Sequence, residues 1–348
     1  MDHGDIVAQF EAKFEFYRIL IMANVITSIP INLFTCYLLL LKSPKQLGTY
    51  RYVLLNIAIC AFFVDTLEGL VVLPLTLLEI FSFYSTGLAR FLGPSGGLIC
   101  LFFAAYGVYL YIMSLLVALL YRYHALKGGF SILGHQLTIR QCYFGVFVLM
   151  TVPTSLPPAA LAVSIVPADT LKHHVLETHP QYMPFFEKTP LFGFDSRLFL
   201  IYCGAAFGLM VGWVVTALWC CISIMKHLKA RRDVMTVFTY RLHIKLLQAL
   251  LAQALAPMTL IVIPLSLILV CTMLHLDAVN DVAAVVEVIF SAHTPLNSLA
   301  MIVFIPAYRK AVAAMFRKLL PMNSVVDSST LQASMKVAVS PGTTTRSL

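Results

Sequence analysis

The composition of this 348-residue chain excludes a water-soluble domain. Hydrophobic residues make up 60% of the chain and charged residues 11%, whereas soluble domains carry about 25% charged and about 45 to 50% apolar residues. The net charge of +8 suggests nucleic acid at first sight, but the basic residues lie at the ends of apolar runs and not on one polar face. The chain is therefore predicted to be an integral membrane protein that binds no nucleic acid.

Seven apolar runs are long enough to cross about 30 Å of hydrocarbon as helices, which takes about 20 residues each. They cover residues 17–41, 52–80, 98–121, 141–166, 198–225, 246–274 and 282–305. The predicted fold is therefore all-α, with a seven-transmembrane helix bundle over residues 17–305 that follows a short segment at 1–16. Proline occurs inside several runs, which a bundle in lipid accommodates as kinks.

The distribution of charge predicts how the bundle is oriented. Most of the 24 Lys and Arg residues fall in the first, third and fifth loops and after the last span. Because Lys and Arg are retained on the cytoplasmic side, these segments are predicted to be cytoplasmic. The amino terminus, with its acidic residues, is then extracellular.

The segment after the seventh span is predicted to form a short amphipathic helix. Within residues 306–320, Val312 and Met315 lie at helical spacing opposite Arg309 and Arg317. Such a helix lies on the inner leaflet, with its apolar side toward the membrane lipid. The Ser- and Thr-rich segment 321–348 is predicted to be a disordered cytoplasmic tail.

Polar groups inside the spans are candidates for a functional switch. Asp65 and Glu68 lie on one face of the second span, where an unpaired charge costs about 2.5 to 3.5 kcal/mol. His293 of the seventh span lies at a matching depth, so a contact with Asp65 is feasible. With Asn297, these groups form either a protonation or cation switch or a structural network that joins spans two and seven.

Further residues are candidates for a ligand cavity. Glu287 lies near one end of the seventh span, where it could face a ligand or reach headgroup water. Tyr106 and Tyr109 of the third span could line a cavity for a small, mostly apolar ligand, although an aromatic stripe also serves helix packing. The His-rich stretch 173–179 has no cysteine to fix it, so neither a metal site nor a cofactor is predicted.

Local motifs resemble one receptor family. Residues 41–45 (LKSPK) and 52–56 (YVLLN) are similar to a signature of nematode serpentine chemoreceptors of class H or a closely related class. Residues 293–302 (HTPLNSLAMI) and 306–312 (PAYRKAV) resemble the end of the seventh span in that family. The resemblance covers about residues 17–312.

This resemblance implies a G-protein-coupled chemosensory receptor that detects a small environmental molecule and signals through a heterotrimeric G protein. It also implies a multi-pass protein of the plasma membrane, here the ciliary membrane of sensory neurons, with arrestin and a receptor kinase as candidate partners of the tail. Arg122 stands where rhodopsin-like receptors keep the arginine that meets the G protein, and an ordinary snorkelling anchor is the other interpretation. The predicted G-protein-facing residues are Arg122, Tyr123, Arg231, Arg232, Arg241, Tyr308 and Arg309.

Other classes of function fit less well. A ligand-gated channel of the insect odorant type has its amino terminus inside, and a transporter is expected to show internal repeats, which the sequence does not display. An intramembrane hydrolase needs convergent catalytic residues, and beyond Asp65 and His293 the spans provide none. The chain is predicted not to be an enzyme, and a ligand-gated channel or transporter is kept as the alternative.

Overall fold

The computed structural model describes residues 3–127, 131–132, 135–136, 139–188, 191–274, 276 and 278–319. The helices are α1 His3–Leu41, α2 Tyr50–Thr66, α3 Gly93–Lys127, α4 Ile139–Val163, α5 Ala168–Thr178, α6 Met183–Lys188, α7 Ser196–Ala230, α8 Val237–Pro257, α9 Ile263–Met273, α10 Val279–Ser291, α11 His293–Phe304 and α12 Pro306–Leu319. The strands are β1 Pro74–Leu77, β2 Ser82–Ser85, β3 Ser131–Ile132, β4 His135–Gln136, β5 Ile165–Val166 and β6 Phe192–Phe194. The predicted tail at 321–348 lies outside the described residues.

Seven helical segments of the described chain are long and apolar enough to cross a membrane, which confirms the predicted number of spans. They are Phe14–Leu41, Tyr50–Val72, Leu88–Lys127, Arg140–Val163, Ser196–Ala230, Val237–Met273 and Val279–Phe304. Leu54, Leu115 and Met301, from three different spans, belong to one buried cluster. Large apolar side chains such as Phe147 and Trp219 are exposed around the bundle, as expected for helices that face lipid.

The second span is shorter than the predicted run 52–80. Helix α2 continues as a π-helical segment, Leu67–Val72, and ends there. Leu73 then adopts a left-handed conformation with φ 42°. Proline disfavours the helical conformation of the residue before it and has no N–H for a helical hydrogen bond. Pro74 therefore lies just beyond the end of this helix and does not kink it.

The residues that follow form strands, so the all-α prediction is wrong at one end of the bundle. Strand β1 pairs antiparallel with β2, β2 with β6, and β6 with β5. This four-stranded sheet joins the connections between spans two and three and between spans four and five. Short apolar runs do not distinguish a buried strand from the continuation of a helix, which is why the sequence suggested a longer span. We call this end of the bundle the sheet end.

Helices α5 and α6 complete the sheet end and pack on the sheet. Leu171 and Phe185 from these helices are buried in one cluster with Leu77 of β1. The hydroxyl of Tyr182 donates a hydrogen bond to Glu79 at 2.7 Å, and burial together with Glu79 raises the pKa of Tyr182. The amide of Asn280 donates to the other Glu79 oxygen at 3.1 Å, so the sheet end is tied to span seven.

The seventh span consists of two helices and not of the single predicted run 282–305. Helix α10 ends at Ser291, Ala292 lies between the two helices, and α11 begins at His293. Pro295 then falls in the first turn of α11, where a helix tolerates proline because the N–H groups of that turn lack helical partners.

The opposite end of the bundle carries short connections and helix α12, and we call it the basic end. The α12 side chains Ala307, Val312 and Met315 pack against the bundle core. Arg309 and Arg317 of the same helix are exposed. Apolar side chains of this helix thus face the bundle and its arginines face outward, and an amphipathic helix that lies on the inner leaflet remains a prediction.

Candidate ligand cavity and basic surface

A cavity of about 180 Å³ lies in the half of the bundle nearest the sheet end. Its walls come from spans five, six and seven, and strand β1 and Phe83 of β2 contribute from the sheet. Most lining side chains are apolar, among them Phe83, Phe199, Phe207, Leu265 and Ile268. Apolar walls with few polar groups are typical of small-molecule sites.

Glu287 is the one acidic side chain among the described residues that line this cavity. The hydroxyl of Thr76 donates a hydrogen bond to Glu287 Oε1 at 3.1 Å. The second oxygen, Oε2, is buried and has no hydrogen-bond partner among the described residues. The sequence left open whether Glu287 faces a ligand or headgroup water, and the structure places it on a cavity wall.

A second, smaller cavity of about 30 Å³ is lined by Asp65, Glu68 and Glu287 together with apolar residues of spans one and seven. Glu287 therefore lines both cavities. Asp65 is only 2% exposed. It accepts a hydrogen bond from Ser28 through Oδ2, whereas its Oδ1 has no partner among the described residues.

The predicted contact between Asp65 and His293 is wrong, because each side chain bonds to other groups. Nδ1 of His293 lies 2.7 Å from the carbonyl oxygen of Phe290, and Nε2 lies 3.0 Å from the hydroxyl of Thr294. Asp65 instead faces span one through Ser28. Spans two and seven are joined by the hydroxyl of Thr294, which donates to the carbonyl oxygen of Ala61 at 3.3 Å.

Span one supplies polar partners that the sequence interpretation missed. Asn24 donates to Ser291 at 3.0 Å, Ser28 donates to Asp65, and Asn32 accepts from Ser298 at 2.6 Å. The three residues stand four apart, a spacing that places them on one helical face. This stripe of small polar residues in an apolar span was the available signal. The predicted switch residue Asn297 is fully buried, and its amide atoms have no partner among the described residues.

The predicted tyrosines of span three lie elsewhere in the bundle. Tyr109 is buried, and its hydroxyl lies 3.3 Å from the hydroxyl of Tyr202 in span five. Neither Tyr106 nor Tyr109 is among the described residues that line the two cavities. The cavity walls on spans five and six carry no charge or motif that sets them apart in the sequence.

At the basic end, Arg122 is turned into the bundle and is only 8% exposed. Its guanidinium carbon lies 3.6 Å from the centre of the Tyr50 ring, and Nη1 lies 3.3 Å from His243 Nδ1. The interpretation of Arg122 as a snorkelling anchor is therefore wrong. The ring of Tyr123 packs on Trp219 of span five, with centroids 5.4 Å apart.

The other basic-end candidates divide into one buried and several exposed residues. Tyr308 is 1% exposed, and its hydroxyl lies 2.6 Å from the hydroxyl of Ser43. The Tyr308 side chain therefore faces the bundle, and this burial raises its pKa. The predicted transducer-facing residues that do lie on the surface are Arg231, Arg232, Arg241 and Arg309.

The described part of the chain contains no group of three or more His, Cys, Asp or Glu side chains placed to hold a metal ion. Within the His-rich stretch, His173 and His174 lie exposed on helix α5.

The bundle has the fold of rhodopsin. It superposes on the crystal structure of squid rhodopsin with a TM-score of 0.60 at 14% sequence identity, over 96% of this chain and 88% of that chain. A comparison with curated protein sequences gives no match. Residues 12–318 match the family described as serpentine type 7TM GPCR chemoreceptor Srh. The chain belongs to this family, a multi-pass membrane family of receptors and not of enzymes, as its motifs predicted.

Proposed function

We propose that this receptor detects a small environmental molecule in the cavity near the sheet end and signals through a heterotrimeric G protein at the basic end. The observation that carries the proposal is the apolar cavity of about 180 Å³ among spans five, six and seven. Two of these spans, five and six, meet at the connection that carries Arg231 and Arg232, and Arg241 lies in the second turn of span six. A ligand between the spans can therefore influence the surface where a transducer binds.

In this proposal the sheet end faces the outside of the cell and the basic end the cytoplasm, because Lys and Arg are retained on the cytoplasmic side. Helix α12 then lies on the inner leaflet, with Arg309 and Arg317 toward the headgroups. The membrane is the plasma membrane, and for a chemosensory receptor the ciliary membrane of a sensory neuron.

The mechanism is a shift between helix arrangements that exist before the ligand binds. The spans that line the cavity contain irregular turns that favour rearrangement, namely the π-helical segment Met258–Val262 in span six and the break at Ala292 in span seven. At the basic end, Tyr50 and His243 hold Arg122 inside the bundle. Release of Arg122 would expose a cation that can meet the carboxylates of a G-protein helix.

The proposal is tested by a G-protein dissociation assay in cells that express the full chain and are exposed to volatile and water-soluble odorants. At least one compound should cause dissociation. The variant with Arg231, Arg232 and Arg241 changed to Gln should reach the surface, because exposed substitutions alter stability by only about 0.5 kcal/mol. Its ligand-driven dissociation should fall severalfold, whereas the control Lys172→Gln on α5 should respond like the wild type.

Dissociation that stays unchanged in the triple variant would show that these arginines only set topology. A receptor that reaches the surface and responds to no compound of a broad panel would contradict the proposed function itself.

A further inference from the structure

Carboxyl groups of two spans converge on the small cavity without any basic partner. Asp65 and Glu68 come from span two and Glu287 from span seven. Among the described residues that line this cavity there is no Lys, Arg or His. Asp65 is 2% exposed, and the protein satisfies only one of its two oxygens, as it does for Glu287. The oxygens left over are Asp65 Oδ1 and Glu287 Oε2.

Another acid near the sheet end shows what a satisfied carboxylate looks like in this protein. Glu79 accepts hydrogen bonds on both oxygens, from Tyr182 at 2.7 Å and from Asn280 at 3.1 Å. An ionised carboxylate that is buried without such donors costs several kcal/mol. The described residues therefore supply neither a donor nor a cation to the second oxygen of Asp65 and of Glu287.

The shape of the site limits what that partner can be. The small cavity measures about 30 Å³, enough for one group the size of a water molecule or an ammonium. The neighbouring cavity of about 180 Å³ shares Glu287 and is otherwise mostly apolar. No cluster among the described residues is placed to hold a metal ion. A cationic group next to an apolar body fits both cavities together.

We infer that the ligand class of this receptor is a small protonated amine. Its ammonium binds Glu287 and the free oxygen of Asp65, with Glu68 adding negative charge, and its hydrocarbon part fills the larger cavity. This inference rests on the proposed function, because it names the chemistry of the ligand that the same cavity takes.

The test uses the purified full-length receptor in lipid nanodiscs and measures thermal unfolding. The probes are amines and alcohols with matched carbon skeletons: isopentylamine and isopentanol, hexylamine and hexanol, phenethylamine and phenethyl alcohol. A ligand that binds only the folded state raises the melting temperature. At least one amine should do so, and its matched alcohol should not.

The decisive variant is Glu287→Gln, which keeps the shape and removes the charge. Loss of a hydrogen bond to a charged group corresponds to at least a tenfold weaker amine affinity. Asp65→Asn is a second variant and should weaken amine binding in the same direction. The matched control is Glu79→Gln, because Glu79 is a sheet-end acid that lines neither cavity, and this variant should keep the amine response.

The inference is overturned if the alcohols stabilise the receptor as well as the amines, if Glu287→Gln keeps full amine affinity, or if no amine stabilises the wild type. Replacement of KCl by NaCl at constant ionic strength provides a further arm. Stabilisation by sodium that depends on Glu287, without any by amines, would assign the carboxylates to an inorganic ion. If neutral odorants release the G protein while no amine binds, the inferred amine ligand is refuted and the proposed function is unaffected.

Discussion

The sheet end and the basic end of this receptor are built on different physical principles. The sheet end is closed by strand pairing and by an aromatic cluster in which Phe194 lies 5.4 Å from Phe83 and 5.5 Å from Phe199 between ring centroids. The basic end has short connections, and Arg231 and Arg232 extend into solvent. Strand pairing closes the sheet end, whereas the described part of the basic end has no such sheet and exposes charged side chains, so the two ends should respond differently to substitution.

The largest expected effect is on packing at the sheet end, through Gly87→Ala. The N–H of Gly87 donates to the carbonyl oxygen of Val72 at 3.1 Å, and a Cβ here would lie 2.6 Å from the carbonyl oxygens of both Leu70 and Val71. Because the obstacle is backbone, the loop must move, at a cost of about 1 to 3 kcal/mol. The melting temperature and the surface expression should both fall.

The control is Gly208→Ala on the exposed side of span five, where a Cβ would meet nothing within 4 Å. It should change stability by no more than about 0.5 kcal/mol. Equal effects of the two substitutions would mean that the close approach at Gly87 is unimportant for the sheet end.

The difference between the ends also explains what the sequence could predict. Apolar length sets the number of spans, so seven were predicted and seven occur. The basic connections stood out because their charges are visible residue by residue. The sheet did not, because the apolar run continues past Pro74 to Ile80, interrupted only by Thr76 and Glu79. The left-handed turn at Leu73 before Pro74 was visible only as a proline, which the prediction took for a kink.

Double-mutant cycles among polar residues inside the bundle, between its two ends, test which of these groups are in contact. Ser28→Ala and Asp65→Asn should be non-additive by about 0.5 to 3 kcal/mol, because Ser28 donates to Asp65. Asp65→Asn and His293→Gln should add within about 0.5 kcal/mol, because His293 bonds to Phe290 and Thr294 instead. The measurement is thermal unfolding of the single and double variants. Strong coupling of Asp65 with His293 would restore the contact expected from matching depth.

Part of the candidate site was accessible from the sequence and part was not. Charged groups in apolar spans are rare, so Asp65, Glu68 and Glu287 stood out, and they line one cavity. Their partners did not stand out, because depth along a helix says nothing about which neighbour a side chain faces. Asp65 faces span one, a direction that only the packing of the bundle determines.

At the basic end, the smallest of these effects concerns the stacking of Arg122 on Tyr50. Tyr50→Leu removes the ring 3.6 Å from the guanidinium, a contact of about 0.5 to 2 kcal/mol. Nucleotide exchange on the G protein without ligand should rise by about two- to thirtyfold. Tyr50→Phe keeps the ring under the guanidinium, so its basal exchange should stay close to the wild type and well below that of Tyr50→Leu. Equal basal exchange in both variants would show that the stack does not restrain the receptor.

The most direct test of the account is the side of the membrane that each end faces. His173 on α5 and Val234 between spans five and six are both exposed. Each is replaced by cysteine in a separate variant and labelled with a membrane-impermeant thiol reagent in intact and in permeabilised cells. Labelling of the unsubstituted receptor gives the background. The account predicts that His173→Cys is labelled in intact cells and that Val234→Cys is labelled only after permeabilisation. Labelling of Val234→Cys in intact cells, with His173→Cys protected, would contradict it.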